Sequence, residues 1–329
     1  MTASPLRVLF TSAGRRVGLL DCFRHAAVEL GIAVELHACD LAPRLSAACA
    51  KADRSFGVSP CTGPDYIDEL LDHCRRHDIR LLVPTIDTEL VPLSRAVDRF
   101  ASLGCRVHVG PPELIDIVRD KGRTCRVLDA AGVPVPETYS PDEARALRDP
   151  AKWPMLAKPA AGSASRGLRV VTAPGDVPSL FEEEFILQEL LRGPEYTVNV
   201  FVDQHGTLRA AIPHLRLSVR AGEVEKGRTV RDERFTRIAR DLVSALPQPR
   251  GAMCFQLMDD ARRGPTVFEI NARFGGGYPL ADRAGGRFAL WLLEEVLERE
   301  SSASDDWRDG VEMLRFDAAV FRDVAGTVT

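Results

Sequence analysis

Between residues 6 and 110, short apolar runs alternate with amphipathic stretches. In order these are "RVLFTSAG", a helical pattern to about Leu30, "AVELHACD", "YIDELLDHCRRHD", "RLLVPTID", a helical pattern around Leu90 to Leu103, and "RVHVG". Strand-length runs interleaved with helix-length patterns predict βαβ units, and hence a doubly wound parallel sheet. "PPELIDIVRDKGRTCRVLDAAGVPVPETY" follows, with proline at a helix start, a second helix carrying Lys121, and a proline-punctuated exit. From "WPMLAKPA" to "FILQEL" short strands flank a Gly/Ser loop, and from Tyr196 hairpin-like strands lead through "CFQLMDD" to "TVFEINARF". A helix, "FALWLLEEVLERE", a polar break at 301–310 and a last strand candidate, "MLRFDAAVF", complete the pattern. The expected units are 1–111, 112–187 and 188–329.

Composition narrows the function classes. A chain of 329 residues can bury the cores of two or three units. The net charge of −4, with arginines dispersed among acids, argues against nucleic acid or an anionic membrane as partner and leaves small charged molecules. Eight cysteines, at 22, 39, 49, 61, 74, 105, 125 and 254, form no C-x-x-C pair, which predicts reduced thiols in the cytoplasm. No run approaches the about 20 apolar residues of a membrane helix. A homodimer is left open.

The densest chemistry lies in "FEINARFGGG", residues 268 to 277. Strand alternation places Glu269, Asn271 and Arg273 on one face and Phe268, Ile270 and Ala272 on the other. Two oxygen ligands beside a cation suit a magnesium-bound polyphosphate; a solvated face with an intrastrand ion pair is the plainer alternative. In "AKPAAGSASRG", Lys158 at a strand end precedes a loop with Gly162, Ser163, Ser165, Arg166 and Gly167, able to wrap phosphates or to serve as a simple hairpin tip. "FILQELLRGPEYTV" sets Gln188, Glu189 and Glu195 around a short connector, where a carboxylate would meet ribose hydroxyls or only water.

Other motifs are absent or weak. There is no Walker loop, no G-x-S-x-G elbow, and the turn "TSAGRR" with Asp40 lacks the G-x-G-x-x-G of a dinucleotide site. His73 and His77 have i,i+4 spacing without a third ligand, which predicts a solvated helix face. Asp87 and Glu89 follow one parallel strand, and Arg15 and Arg16 another, where ligands of α/β sheets tend to bind. Arg216, Arg220 and Lys226 supply charge for a second carboxylate or a phosphate, or are solvated strand charges.

Together, Lys121 within "RDKGRT", Lys158 within "LAKP", the "GSASRG" loop, "QELLRGPEYTV", Gln256 in "CFQL" and "FEINARFGGGYPL" resemble the ATP-grasp superfamily over nearly the whole chain. The likeness is to its carbamoyl-phosphate-synthase-like carboxylate–amine ligases, and "TSAGRR" and "LVPTIDTEL" look like the domain that precedes their core. The resemblance implies a Rossmann-like domain followed by a two-lobed ATP-grasp fold, with residues 151 to about 186 as a lid closing on ATP. It implies Lys121 and Lys158 on the phosphates beneath the loop from Gly162 to Gly167, and Gln188, Glu189, Leu191 and Glu195 around the nucleotide. Gln188 stands where many relatives carry a glutamate near the adenine. It further implies Mg²⁺ on Gln256, Glu269 and Asn271, and Arg273 with Lys158 steadying the transferring phosphoryl group. Gly276 would lie close to substrate, with Arg15, Glu89, Arg216, Arg220 and Lys226 as candidate contacts. The implied reaction joins a small acid, such as an amino acid, to an amine through an acyl-phosphate, releasing ADP. The alternative is a catalytically silent ATP-binding regulator of the same fold.

Overall fold

The computed structural model describes residues 4–161 and 167–322. Its first unit is the expected parallel sheet: β1 (Leu6–Thr11), β2 (Val34–Asp40), β3 (Arg54–Gly57), β4 (Leu81–Pro84) and β5 (Arg106–Val107), in the order β3-β2-β1-β4-β5. The central strands are buried on both sides, which is why they read as unbroken apolar runs. Strand order reverses between β1 and β4, so the crevice beyond their carboxyl ends is the switch point of the sheet.

A four-stranded antiparallel sheet comes next: β6 (Thr138–Tyr139), β7 (Met155–Pro159), β8 (Arg169–Val171) and β9 (Phe185–Glu189), in the order β6-β9-β7-β8. It has its own small core of Ala144, Met155, Ala157, Val171, Val177, Phe185 and Leu187. The boundary expected at 187/188 falls inside β9, so Gln188 and Glu189 belong to this sheet. The helices Pro112–Val118 and Lys121–Ala130, expected with the same unit, instead pack Leu114, Ile115, Val118 and Leu128 into the core of the large sheet that follows.

That large sheet contains β10 (Glu195–Val202), β11 (Leu208–Arg220), β12 (Glu223–Thr229), β13 (Gly251–Asp260), β14 (Gly264–Asn271) and β15 (Glu312–Leu314), in the order β14-β13-β10-β11-β12-β15. One face carries Val198, Val200, Phe255, Leu257 and Val267 against the helix Glu233–Ala245. That helix is capped by Asp232 and presents Phe235, Ile238, Ala239, Leu242 and Val243 at helical spacing. The other face begins apolar: Phe201, Ala210, Ile212 and Ala252 join Phe274, Tyr278, Phe288 and Trp291 and the helices of the parallel sheet in one cluster. The parallel and large antiparallel sheets therefore share a core, whereas the four-stranded sheet does not.

Two expectations change. His73 and His77 are half-buried and gather with the fully buried His37: His37 Nδ1 lies 2.8 Å from His73 Nε2, and the His73 ring stacks on Phe56 at 3.8 Å. Burial, then His77 and His37, pushes His73 down to about 3. In β14 the ladder to β13 is bulged, with Gln256 opposite Glu269 but Leu257 opposite Val267. Phe268 is the extra residue; it does not join the core face with Ile270 and Ala272.

Candidate active site

Register carries the polar side chains onto one face of the large sheet. Glu269 opposes Gln256, Gln256 opposes Thr197, and Thr197 opposes His214. In the next row Asn271 opposes Cys254, and Cys254 opposes Asn199. Directly opposed residues in antiparallel strands share a face with Cβ atoms about 5 Å apart, so the two rows form a continuous polar shelf. Arg216 lies on the same shelf, its Nη1 3.1 Å from Glu195 Oε1.

Two lysines face the shelf. Lys121 is the first residue of its helix, because Asp120 caps the helix by accepting the Arg123 N–H at 2.8 Å. Its own N–H bonds Ala160 O at 3.0 Å, and Nζ lies 3.5 Å from Pro159 O. Lys158, in β7, donates to Phe268 O at 3.4 Å, with its Nζ 5.5 Å from the Phe268 ring. The bulge thus turns Phe268 toward the lysine. Both ammonium groups are buried. Burial pushes Lys158 down to about 8 and lowers Lys121 as well, each opposed first by the charge of Glu269.

Arg273 lies just past the end of β14, its N–H bonding Asn271 O at 2.9 Å. The side chain folds back: Nη2 donates to Asn271 Oδ1 at 2.9 Å and to Asp87 Oδ2 at 2.7 Å. Asp87, at the carboxyl end of β4, is the only acid named from that turn to reach the shelf. Glu89 is wholly buried, accepting Ser12 and Tyr66 hydroxyls at 2.9 and 2.6 Å and the Thr85 and Ile86 N–H groups at 2.6 and 3.1 Å. Its carboxylate braces the turn.

The remaining candidates are placed as follows. Gln188 is buried and donates to Thr138 Oγ1 at 2.8 Å and Cys125 Sγ at 3.2 Å, while Glu189 is paired with Arg262 and Arg263. Leu191 is half-buried in the connector to β10, and Gly167 is exposed; Gly162, Ser163, Ser165 and Arg166 lie outside the described residues. Arg220 is half-exposed, bound to Glu225 and Asp317, and Lys226 is exposed on β12, so both are strand charges beyond the shelf. Arg15 reaches Glu223 at 3.5 Å. The glycine triplet packs against protein. A Cβ on Gly275 would stand 3.0 Å from Cys254 Sγ, one on Gly276 2.6 Å from Arg16 Nη1, and one on Gly277 2.7 Å from Val224 Cγ1.

The donor set fits a magnesium–polyphosphate. Glu269 offers a carboxylate, Gln256 and Asn271 offer amide oxygens, and Asn271 Oδ1 keeps a second lone pair beyond its bond to Arg273. Among the described residues no group of three or more His, Cys, Asp or Glu could hold a metal ion. No described helix is long and apolar enough to cross a membrane.

Two family models match the chain: a PylC-like N-terminal domain over residues 8–108 and an ATP-grasp domain over residues 118–277. The carbamoyl phosphate synthase large chain of Beutenbergia cavernae is 39% identical over 83 residues, 24% of this chain and 7% of that one. Pyruvate carboxylase of Aspergillus terreus is 29% identical over 153 residues, 42% of this chain and 12% of that one. The matched segments are thus a small part of these relatives. Among solved structures, biotin carboxylase from Campylobacter jejuni superposes with a TM-score of 0.73 at 16% identity, covering 93% of this chain and 74% of that one. The biotin carboxylase domain of Hydrogenobacter thermophilus 2-oxoglutarate carboxylase, solved with MgADP and bicarbonate, gives 0.73 at 17%, covering 94% and 74%. N5-carboxyaminoimidazole ribonucleotide synthetase from Thermotoga maritima gives 0.62 at 16%, covering 91% and 78%.

Proposed function

Because the chain belongs to the ATP-grasp superfamily, we propose that it is an ATP-dependent, ADP-forming ligase that activates a small carboxylic acid as an acyl-phosphate and passes the acyl group to an amine. The observation that carries this reading is the convergence of Lys121, Lys158 and Glu269 from three elements on one shelf beside Arg273. The solved relative with MgADP and bicarbonate supports a nucleotide and a small oxyanion in this fold.

The protein's part in the chemistry is positioning and charge neutralisation, the main needs of phosphoryl transfer. Lys121 and Lys158 are buried cations that attract a polyphosphate out of water. Glu269, Asn271 and Gln256 would hold Mg²⁺, which when bound neutralises phosphate oxygens and polarises the transferring group. Arg273, oriented by Asp87 and Asn271, is aimed where negative charge collects as the acid's carboxylate attacks the γ-phosphate. The attack forms a carboxyl-oxygen–phosphorus bond and releases ADP; the amine then displaces phosphate from the acyl carbon and loses a proton. No protein nucleophile is required.

Hydroxylamine as the amine, with pooled small acids and Mg-ATP, tests this. The expected products are ADP, phosphate and an acid-dependent hydroxamate. Cleavage to AMP and pyrophosphate, or ADP release indifferent to acid, would overturn the reading.

A further inference from the structure

Next to the shelf, a second charged cluster joins residues from opposite ends of the chain. Glu223, at the start of β12, is met by Arg16 Nη1 at 2.8 Å, Arg315 Nη1 at 3.1 Å and Arg15 Nη2 at 3.5 Å. Arg315 also donates through Nη2 to Gly276 O. Arg15 and Arg16 leave the carboxyl end of β1 and Arg315 follows β15, so the cluster sits at the switch point of the parallel sheet and spans two sheets.

Three guanidinium groups face one carboxylate. Arg16 and Arg315 are largely buried, with 17% and 29% of their side chains exposed, whereas Arg15 is 59% exposed and stands at the solvent side of the cluster. Burial, and then Arg273 and Arg315, lower the proton affinity of Arg16 while Glu223 opposes them. Burial pushes the Glu223 carboxyl up, but the arginines more than offset it and hold it below the usual range. Like charges gathered out of water with too few counter-charges are unfavourable unless an anion joins them. Planar guanidinium forks suit carboxylate or phosphate oxygens. Arg16 also senses Asp87 and Arg273, which places the cluster beside the group that would face the reacting carboxylate. Gly276 permits this packing, since a Cβ there would meet both Arg16 Nη1 and Glu223 Cδ, at 2.6 and 2.7 Å.

We propose that Arg15, Arg16 and Arg315 form a subsite for a second anionic group on the acid substrate, and that Glu223 occupies it until that group arrives. The preferred acids then carry a carboxylate or phosphate besides the carboxylate that is activated. This identity of the acid rests on the ligase reading; the anion subsite itself does not.

Two measurements separate the two. In the hydroxamate assay, succinate, glutarate, aspartate and 3-phosphoglycerate are compared with butyrate, valerate and alanine. Turnover is expected from members with a second anion, the dicarboxylates and the phosphorylated acid distinguishing the two sources of charge. Arg315→Gln and Arg15→Gln should lower kcat/KM for that acid at least about tenfold while leaving the KM for ATP unchanged. Equal turnover of the neutral-tailed acids, or equal loss for both classes in the variants, overturns the proposal and leaves the ligase reading intact. Independently of turnover, sulfate at constant ionic strength should raise the melting temperature of the wild type more than that of Arg315→Gln or Arg15→Gln. Arg315→Lys, which keeps the charge, should retain part of the response. An identical sulfate response in wild type and both glutamine variants overturns the subsite whether or not a hydroxamate forms. A sulfate difference with no hydroxamate from any acid overturns the ligase reading alone.

Discussion

Arg273 Nη2 donates to Asp87 Oδ2 at 2.7 Å across 186 positions of sequence, tying the end of the large sheet to the turn after β4. Both side chains are nearly buried, with 13% and 9% exposed. The pair raises Arg273 above the usual guanidinium range despite its burial, Asp87 being the leading favourable contribution. Breaking such a buried pair from one side costs about 3–5 kcal/mol. Asp87→Asn should therefore lower the denaturation midpoint and reduce kcat with little change in the KM for ATP. Arg273→Ala should reduce kcat by about 10²-fold or more. A change in KM alone for both variants would make Arg273 a binding residue and nothing more.

Glu269 is the opposing charge that ranks first for both lysines. Glu269→Gln keeps the shape and removes that charge together with the carboxylate expected on Mg²⁺. ADP release should fall by about 10²-fold or more, with far-UV and near-UV spectra unchanged. Near-normal ADP release at ordinary Mg²⁺ would remove Glu269 from the metal set.

Lys158 gives a pH signature. Its ammonium titrates at about 8 in the free protein because it is buried. Phosphate oxygens would restore its proton, so above about pH 8 nucleotide binding takes up a proton and affinity falls as pH rises, by up to about tenfold per unit. Titration calorimetry with a non-hydrolysable Mg-ATP analogue from pH 7 to 9.5 should show this slope in the wild type and a flatter one in Lys158→Arg. Identical slopes would place the titrating group elsewhere.

Gln188 separates a scaffold role from a nucleotide contact. Its amide donates to Thr138 and Cys125 in a site only 2% exposed. Gln188→Glu removes both donors and buries an acid, which should cost about 1–3 kcal/mol in urea denaturation. Unchanged stability with altered nucleotide affinity would instead assign Gln188 to the adenine.

The histidine cluster predicts acid lability. The unfolded chain protonates histidine near 6.5, whereas burial and its neighbours hold native His73 down at about 3. The unfolded state therefore binds more protons between these values, and stability is lost as pH falls below about 6.5. His73→Gln should flatten the fall in the urea midpoint between pH 7 and 4. An equally steep fall in the variant would acquit the cluster.

The alternating rhythm of residues 6 to 110 and the spacing of "FEINARF" made the parallel sheet and the shared face of Glu269 and Asn271 legible from sequence, because both depend on local period. What depends on pairing between distant segments was not. Glu89 and Asp87 are two residues apart, yet one turns inward to Ser12 and Tyr66 and the other outward to Arg273. His37 lies far from His73 in sequence and joins it through the packing of a helix on β2. Arg216 stands where β10 offers Glu195, whereas Arg220, on the same strand, is half-exposed and meets Glu225 and Asp317. Arg315 has no flanking signal at all in "MLRFDAAVF", and Glu223 follows an ordinary turn. That the glycines after Arg273 pack against Cys254, Arg16 and Val224 is likewise set by segments distant in sequence.

The extra residue at Phe268 also sets how this strand can vary in length. Val267 and Glu269 are both odd-numbered, yet one packs in hydrocarbon and the other stands on the polar shelf. The inside–outside parity of the chain switches between them, and an unbulged strand would force either the valine out or the glutamate in. Removing Phe268 would leave the pairs Glu269–Gln256 and Val267–Leu257 on their own sides and cost chiefly the carbonyl and ring that meet Lys158. Removing Ile270 with Asn271 held in place would instead bring Glu269 opposite Phe255, on the apolar side of the sheet, and Phe268 opposite Gln256. Loss of the residue at 268 therefore leaves Glu269 and Asn271 in register with Gln256 and Cys254, whereas loss of the one between them separates Glu269 from the shelf.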